Sequence, residues 1–243
     1  MIRDGLETVF LHPTTVAMAG RIIAIGDIHG CSAALAAIVE AVDPRPGDTV
    51  VTLGDYVDRG PDSPGVLDQL IALAGRCRLV PILGNHDEML LDIVAGHHYL
   101  LDNWLAFGGD ATLASYQCTT PDEIPPEHIS FLRECCSWHE SDGHLFVHAS
   151  YDARRALTKQ PLDLLRWEPI RERLPGPHRS GKVAIVGHTS QKSGEILDLG
   201  YLKCIDTWVY GNGWLTAIDV ESGQVWQADK DGRPREWPTH QKR

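Results

Sequence analysis

With 243 residues, 43% of them hydrophobic, the chain is long enough to bury a full core, as one large α/β domain or as two small ones. A formal charge of −11 at pH 7 argues against a nucleic-acid backbone as partner, but metal ions and a few arginines can reverse that sign locally around a phosphorylated substrate. The first twenty residues lack the basic-then-apolar pattern of a signal peptide, and no apolar stretch reaches the roughly 18 to 20 residues of a membrane span; the expectation is a soluble cytoplasmic protein that binds neither nucleic acid nor membrane.

Six cysteines (Cys31, Cys77, Cys118, Cys135, Cys136 and Cys204) form no Cys-x-x-Cys pair, zinc-finger spacing or Cys-x5-Arg loop. Free thiols are expected, and a cysteine-nucleophile phosphatase is not. No Ser/Gly linker or low-complexity run divides the chain. One folded domain is therefore expected over residues 21–228, with residues 1–20 as an N-terminal arm and the polar residues 229–243 as a loose C-terminal tail.

In chain order, RIIAIGDIHG (21–30) is a short apolar strand that runs into Gly26, Asp27 and, two places later, His29. Ser32 is a candidate N-cap for an Ala-rich helix over Ser32–Val42. DTVVTLGDYVDRG (48–60) repeats the pattern with Gly54 and Asp55, then adds Asp58 and Arg59, and a helix is expected from about Ser63 to Ala74. RLVPILGNHDEML (78–90) ends its strand at Gly84, Asn85 and His86 before a helix over Asp87–Val94, with more helix within Trp104–Tyr116 and Glu127–Cys135. HLFVHAS (144–150) ends at His148, and KVAIVGHTS (182–190) ends at Gly187 and His188. Residues 201–228 read as strand, loop and hairpin, with Asp219 a strand residue.

Each run of Val, Ile and Leu suits a strand buried on both faces, and each ends in a residue that binds metal or phosphate. Alternating strands and helices argue an α/β layered fold whose ligands gather at the carboxyl ends of the strands. No dinucleotide or P-loop glycine motif is present, so phosphate chemistry would have to come from metals. Asp27, His29, Asp55, Asn85, His148 and His188 form an oxygen and imidazole set without thiolate, suited to Mn²⁺, Fe or Zn²⁺. Six ligands serve two ions about 3.5 to 4 Å apart most simply if one carboxylate, Asp55, bridges them.

GDIHG, GDYVDRG, GNHD, His148 and GHT, in that order, resemble the metal-dependent phosphoprotein phosphatases, a branch of the calcineurin-like metallophosphoesterases, in their bacterial and phage form. The resemblance runs from Arg21 to Ala228 and implies a two-sheet β-sandwich flanked by helices. It implies that Asp27 and His29 hold one metal, that Asn85, His148 and His188 hold the other, and that Asp55 bridges. It further implies two divalent transition ions, Mn²⁺ foremost, and a hydroxide between them that attacks phosphorus directly. His86 would protonate the leaving oxygen, Asp58 would orient His86, and Arg59 would grip the phosphoryl oxygens. A further phosphate-binding arginine is expected in LLRWEPIRER (164–173), where Arg166 and Arg171 are both candidates.

The implied activity is hydrolysis of phosphoserine and phosphothreonine, with small aryl phosphates. The Leu-Gly-Asn-His-Asp form of the third motif is also similar to the bacterial diadenosine tetraphosphatases, which share the fold. A catalytically dead phosphoprotein-binding module is the remaining alternative, weakened because every ligand position is filled. Plainer readings exist for single residues: Asp58 and Arg59 as a loop ion pair, His86 as a helix cap. His97, His98, His128, His139, His144 and His178 match no motif. Arg154 and Arg155 are further candidates for anion binding, and Trp104, Tyr151, Trp208 and Tyr210 could line a groove, though each is more often a core or surface aromatic.

Overall fold

A computed structural model describes residues 20–236. Of the expected arm only Gly20 is among them, and residues 237–243 of the expected tail lie outside them.

The expected apolar runs form two five-stranded sheets. The first is ordered β10-β9-β1-β2-β3, with β1 (Ile22–Ile25), β2 (Thr49–Thr52) and β3 (Arg78–Pro81) parallel, and β9 (Leu215–Asp219) and β10 (Val225–Ala228) closing it as an antiparallel hairpin. The second is ordered β4-β5-β6-β8-β7, built on parallel β5 (His144–Val147), β6 (Val183–Val186) and β8 (Leu202–Cys204), with β4 (Trp138–Glu140) and β7 (Leu197–Asp198) antiparallel at its edges.

Period-2 alternation explains why the central strands carry apolar residues on both faces. Ala24, Val51, Phe146 and Ile185 face the layer between the sheets, joined by Leu53, Ile82, Ile205 and Ile218. Their chain neighbours Ile23, Ile25 and Val50 face outward into a core shared with helices α1 (Ser32–Val42), α2 (Ser63–Ala74) and α3 (Asn85–Val94). Leu145, Val147, Ala184 and Val186 face the outer layer of the second sheet. The expected two-sheet α/β fold is thus present, its central strands covered on both faces and its edge strands β3, β4 and β7 partly exposed. Among the described residues no helix is long and apolar enough to cross a membrane.

Local details differ from expectation. Ser32 is the first residue of α1, not its cap; Cys31 occupies that position without a side-chain cap bond. Helix α3 starts at Asn85, so His86 sits inside its first turn. The helix expected within Trp104–Tyr116 is broken: α4 (Leu101–Trp104) and α5 (Asp110–Tyr116) flank a wide turn over Leu105–Gly109, in which Gly108 has φ 113°. Helix α6 spans Pro126–Glu134, one residue earlier than expected, and α7 spans Leu162–Arg166. Residues 229–236 are not loose: the Arg235 N–H donates to the Gln227 carbonyl at 2.8 Å, and the Arg235 guanidinium lies 5.5 Å from the Trp214 ring centre.

Candidate active site

The loops after β1, β2, β3, β5 and β6 converge at one end of the sandwich. They bring Asp27, His29, Asp55, Asp58, Arg59, Asn85, His86, His148 and His188 together from both sheets. The backbone there is unusual. His29, Asp55, Asp58, Arg59 and His188 all have left-handed φ, from 45° to 71°. Such non-glycine conformations cost of order 1 kcal/mol each and persist where surrounding bonds over-determine them. Here the Ile28 and His29 N–H groups both donate to the Asp55 carbonyl, at 3.1 and 2.7 Å. The Asp87 carboxylate accepts from the N–H groups of Asp55 (2.8 Å), Tyr56 (2.9 Å) and Gly84 (3.0 Å), locking the β2 and β3 loops together.

Two motif glycines admit the carboxylates. A Cβ on Gly84 would lie 2.1 Å from Asp55 Oδ1, and one on Gly187 would lie 2.0 Å from Asp27 Oδ1. Only glycine lets the acids lie flat against the neighbouring loop.

Backbone carbonyls assign the imidazole tautomers. His29 Nδ1 donates to the Val57 carbonyl at 3.0 Å, and His148 Nδ1 donates to the Leu53 carbonyl at 2.7 Å, which leaves both Nε2 lone pairs facing the centre. His188 is the reverse: Nε2 donates to the Trp167 carbonyl at 3.1 Å and Nδ1 faces inward. Burial holds all three rings below their ordinary pKa, His188 down to about 3. Burial opposes charge on Asp55 too, but the surrounding histidines outweigh it and keep the carboxylate ionised.

The result is a knot of acceptors in which the Arg59 guanidinium reaches His29 Nε2 and the His86 N–H reaches Asp55 Oδ1, while the lone pairs around Asn85 face one another. Asn85 Oδ1 lies 3.0 Å from His148 Nε2 and 2.9 Å from His188 Nδ1. Asp55 places Oδ2 3.4 Å from His29 Nε2 and Oδ1 3.5 Å from His148 Nε2. Lone pairs facing one another at these distances repel unless a cation lies among them. The donor set therefore fits divalent metals, and its geometry offers two positions that share Asp55: His29, Asp55 and His86, and Asp55, His148 and His188. The first triplet contains His86 where the sequence suggested Asp27. Asp27 instead accepts the His188 N–H at 2.9 Å, and burial, reinforced by Asp206 and Asp55, pushes its carboxyl well above its ordinary pKa.

Beside this centre, His86 Nδ1 lies 2.7 Å from Asp58 Oδ2. Asp58 is fully buried and also accepts from Trp104 Nε1 at 2.9 Å and Thr112 Oγ1 at 2.7 Å. Burial works against a charged His86, but the Asp55 and Asp58 carboxylates outweigh it and raise its pKa. Arg59 donates to His29 Nε2 at 2.9 Å and packs its guanidinium 4.6 Å from the Tyr210 ring centre.

A cavity of about 350 Å³ opens over these groups, lined by Arg59, Asn85, His86 and His188 and rimmed by Phe107, Trp167, Arg171, Ser190, Lys192 and Tyr210. Arg166, one of the two candidates for a second phosphate contact, does not line it. That side chain is buried against Glu88 and donates to Ser137 Oγ at 2.8 Å, because α7 ends with Arg166 turned back toward α3. Arg171 is the arginine of that segment that reaches the cavity. Tyr151 and Arg154 line a separate cavity, Arg155 pairs with Asp152, and Trp104 is core. His86 bonds to Asp58 instead of capping its helix, and Asp58 and Arg59 are not an ion pair with each other. Sequence reasoning missed Asp87, Thr112, Glu88, Asp206 and Phe107.

The model of the calcineurin-like phosphoesterase family matches residues 20–192. Serine/threonine-protein phosphatase 1 of Salmonella typhimurium is 30% identical over 208 residues, which cover 81% of this chain and 90% of that protein. The symmetrical bis(5'-nucleosyl)-tetraphosphatase of Bordetella pertussis is 35% identical over 145 residues, 58% of this chain; the match spans about half of that relative, 48%. Among solved structures, a chain provisionally named a diadenosine tetraphosphatase superposes with a TM-score of 0.67 at 23% identity, covering 91% of this chain and 96% of that one. A cold-active protein-tyrosine phosphatase of a psychrophilic Shewanella gives 0.64 at 16% identity, covering 89% and 80%. At such identities the likeness speaks for the fold.

Proposed function

The chain belongs to the calcineurin-like phosphoesterase family, and from that premise we propose that it is a metal-dependent phosphomonoesterase that hydrolyses phosphoserine and phosphothreonine, and small aryl phosphates. The observation that carries this reading is the His86–Asp58 pair, bonded at 2.7 Å, in which His86 lines the cavity beside Arg59 and Asp58 is buried behind it. An alkoxide is a poor leaving group and needs a positioned proton donor, whereas a nucleoside diphosphate leaves as a stable anion and needs one less. The extent of the match to the Salmonella phosphatase supports the same reading.

In this mechanism Asp27, His29, Asp55, Asn85, His148 and His188 would hold two divalent ions, Mn²⁺ foremost, and His86, although it also faces the first position, is kept for the acid by its bond to Asp58. When bound, the ions supply Lewis acidity that activates water and neutralises phosphoryl charge. Arg59 turns from His29 to grip two phosphoryl oxygens, and Arg171 approaches from the rim. His86, protonated and held by Asp58 through Nδ1, presents Nε2–H to the leaving oxygen. Trp104 and Thr112 fix the Asp58 carboxylate, so the imidazole cannot rotate out of line.

A second reading, hydrolysis of dinucleoside polyphosphates, is supported by the Leu83–Asp87 motif, the Bordetella relative, and the rim cations Arg171 and Lys192 beside the exposed aromatics Phe107 and Trp167. One substrate panel separates the readings: phosphoserine peptide, phosphothreonine peptide, phosphotyrosine peptide, diadenosine tetraphosphate and a simple diester on one Mn²⁺-loaded preparation. The proposal expects the highest kcat/KM on the phosphoserine and phosphothreonine peptides. A tenfold preference for the dinucleotide, with release of two ADP, would replace it by the second reading.

A further inference from the structure

We infer that Phe107 selects the leaving group: the cavity favours a phosphoryl group carried on an apolar alcohol or phenol, so phosphothreonine is preferred to phosphoserine and aryl phosphates are accepted. This deepens the phosphomonoesterase reading and rests on it.

The location of Phe107 follows from what holds it. Residues Leu105–Gly109 form the wide turn between α4 and α5, and both shoulders of that turn are fastened to the reaction machinery. On one side Trp104 Nε1 donates to Asp58 Oδ2 at 2.9 Å. On the other, the Gly108 carbonyl accepts the Arg59 N–H at 3.0 Å. Gly108 has φ 113°, and a Cβ there would lie 2.7 Å from Arg59 Cγ, so glycine is what lets the turn close onto Arg59. Phe107 is therefore held in register with both the group that orients the acid and the group that grips the phosphoryl.

Its ring stands edge-on to the His86 ring, with centres 6.5 Å apart, and 54% of the residue is exposed in a position that rims the cavity. A general acid must come within about 3 Å of the atom it protonates. The leaving oxygen would accordingly lie against His86, which puts the carbon that carries it within reach of the Phe107 ring facing His86 across the cavity rim. Trp167 and Tyr210 add apolar surface to the same cavity, and among the described residues no Asp or Glu lines it. The methyl group of phosphothreonine, or the ring of a phenol, would cover part of Phe107 that water now wets; the hydroxymethylene of phosphoserine would cover less. A fully enclosed methyl discriminates by about 10- to 200-fold, and a half-open wall by correspondingly less.

The test compares kcat/KM on two peptides that differ only in phosphoserine or phosphothreonine, with para-nitrophenyl phosphate alongside, for wild type, Phe107→Ala and Phe107→Leu, at equal measured metal content. Wild type should favour phosphothreonine by about threefold to tenfold, in proportion to the half-open wall. Phe107→Ala should bring that ratio close to one and lower aryl phosphate turnover, with the phosphothreonine peptide losing more than the phosphoserine peptide. Phe107→Leu should keep most of the preference. Peptide hydrolysis with a ratio indifferent to Phe107→Ala would overturn the assignment of Phe107 and leave the phosphomonoesterase reading standing. Failure of wild type to hydrolyse either peptide would overturn both.

Discussion

Thr112 Oγ1 donates to Asp58 Oδ1 at 2.7 Å and in turn accepts the Asp58 N–H at 2.8 Å, a reciprocal pair between residues 54 apart in sequence. That clamp, with Trp104, leaves Asp58 one free direction, toward His86. His86→Asn should lower kcat on an alkyl phosphate by about 10²- to 10⁴-fold, and less on an aryl phosphate, whose leaving group needs less protonation. Thr112→Val should produce a smaller loss with the same substrate dependence, since the acid remains but its orienting carboxylate is loosened. Equal losses on both substrates, at unchanged metal content, would count against His86 as the acid.

Both candidate metal triplets contain Asp55. Purified protein should carry or accept about two divalent ions per chain, and chelation should abolish activity. Asp55→Asn should reduce occupancy at both positions, whereas Asn85→Ala should reduce it chiefly at the position shared with His148 and His188. Elemental analysis that finds one tightly held ion in fully active protein would exclude the binuclear arrangement.

Arg59 is engaged with His29 and Tyr210 in the structure, contacts it can exchange for a phosphoryl group. Arg59→Ala should raise KM by about tenfold or more, because a bidentate phosphate contact is already made in the ground state. Arg59→Lys should rescue only partly, since an ammonium cannot present the paired fork. A KM unchanged by either substitution would remove Arg59 from the phosphate site.

How much of this was legible beforehand depended on distance along the chain. Asp27, Asp55, Asn85, His148 and His188 could be read because each terminates an apolar run, so strand burial and ligand position are written in the same few residues. Phe107 lies in a turn, and Trp104 and Thr112 on the helices that flank it, and the turn's defining feature, the positive φ of Gly108, breaks a stretch with good helical composition. Nothing local announces that its partner is Asp58. Choosing between Arg166 and Arg171 failed for a related reason. The choice depends on where α7 stops, and the residue that captures Arg166, Glu88, is 78 positions away.

At the opposite end of β2, Asp48 links Arg21 to the sheet. Burial works against its ionisation, but the Arg21 guanidinium and the N–H groups of Arg45 and Arg21 outweigh that and hold its carboxyl below the ordinary value of 3.8. Since the folded pKa is depressed, the stabilisation is fully present above about pH 4 and is lost as the pH falls through the folded value. Asp48→Asn should lower stability by about 1 kcal/mol at neutral pH, allowing for the exposed third of Arg21, and the difference from wild type should shrink below pH 4. Denaturant midpoints measured at pH 7 and near pH 3 check the sign.

Glu88 carries the last expectation, because it joins the acid-bearing helix to a wall of the cavity. One carboxylate oxygen receives Arg166, and the other accepts Trp167 Nε1 at 2.7 Å. The carbonyl of Trp167 is the acceptor that orients His188. Glu88→Ala thus has two separable effects. It leaves the buried Arg166 without its counter-charge, which should cost roughly 2–4 kcal/mol. It also frees Trp167, so His188 loses part of its orientation and binds metal less tightly. Glu88→Ala combined with Arg166→Met should recover most of the melting temperature, since the unpaired charge is gone, yet should not recover the metal affinity. Thermal unfolding and calorimetric Mn²⁺ titration on the single and double variants distinguish the two effects. If metal affinity returned together with stability, Glu88 would be a structural ion-pair partner and nothing more.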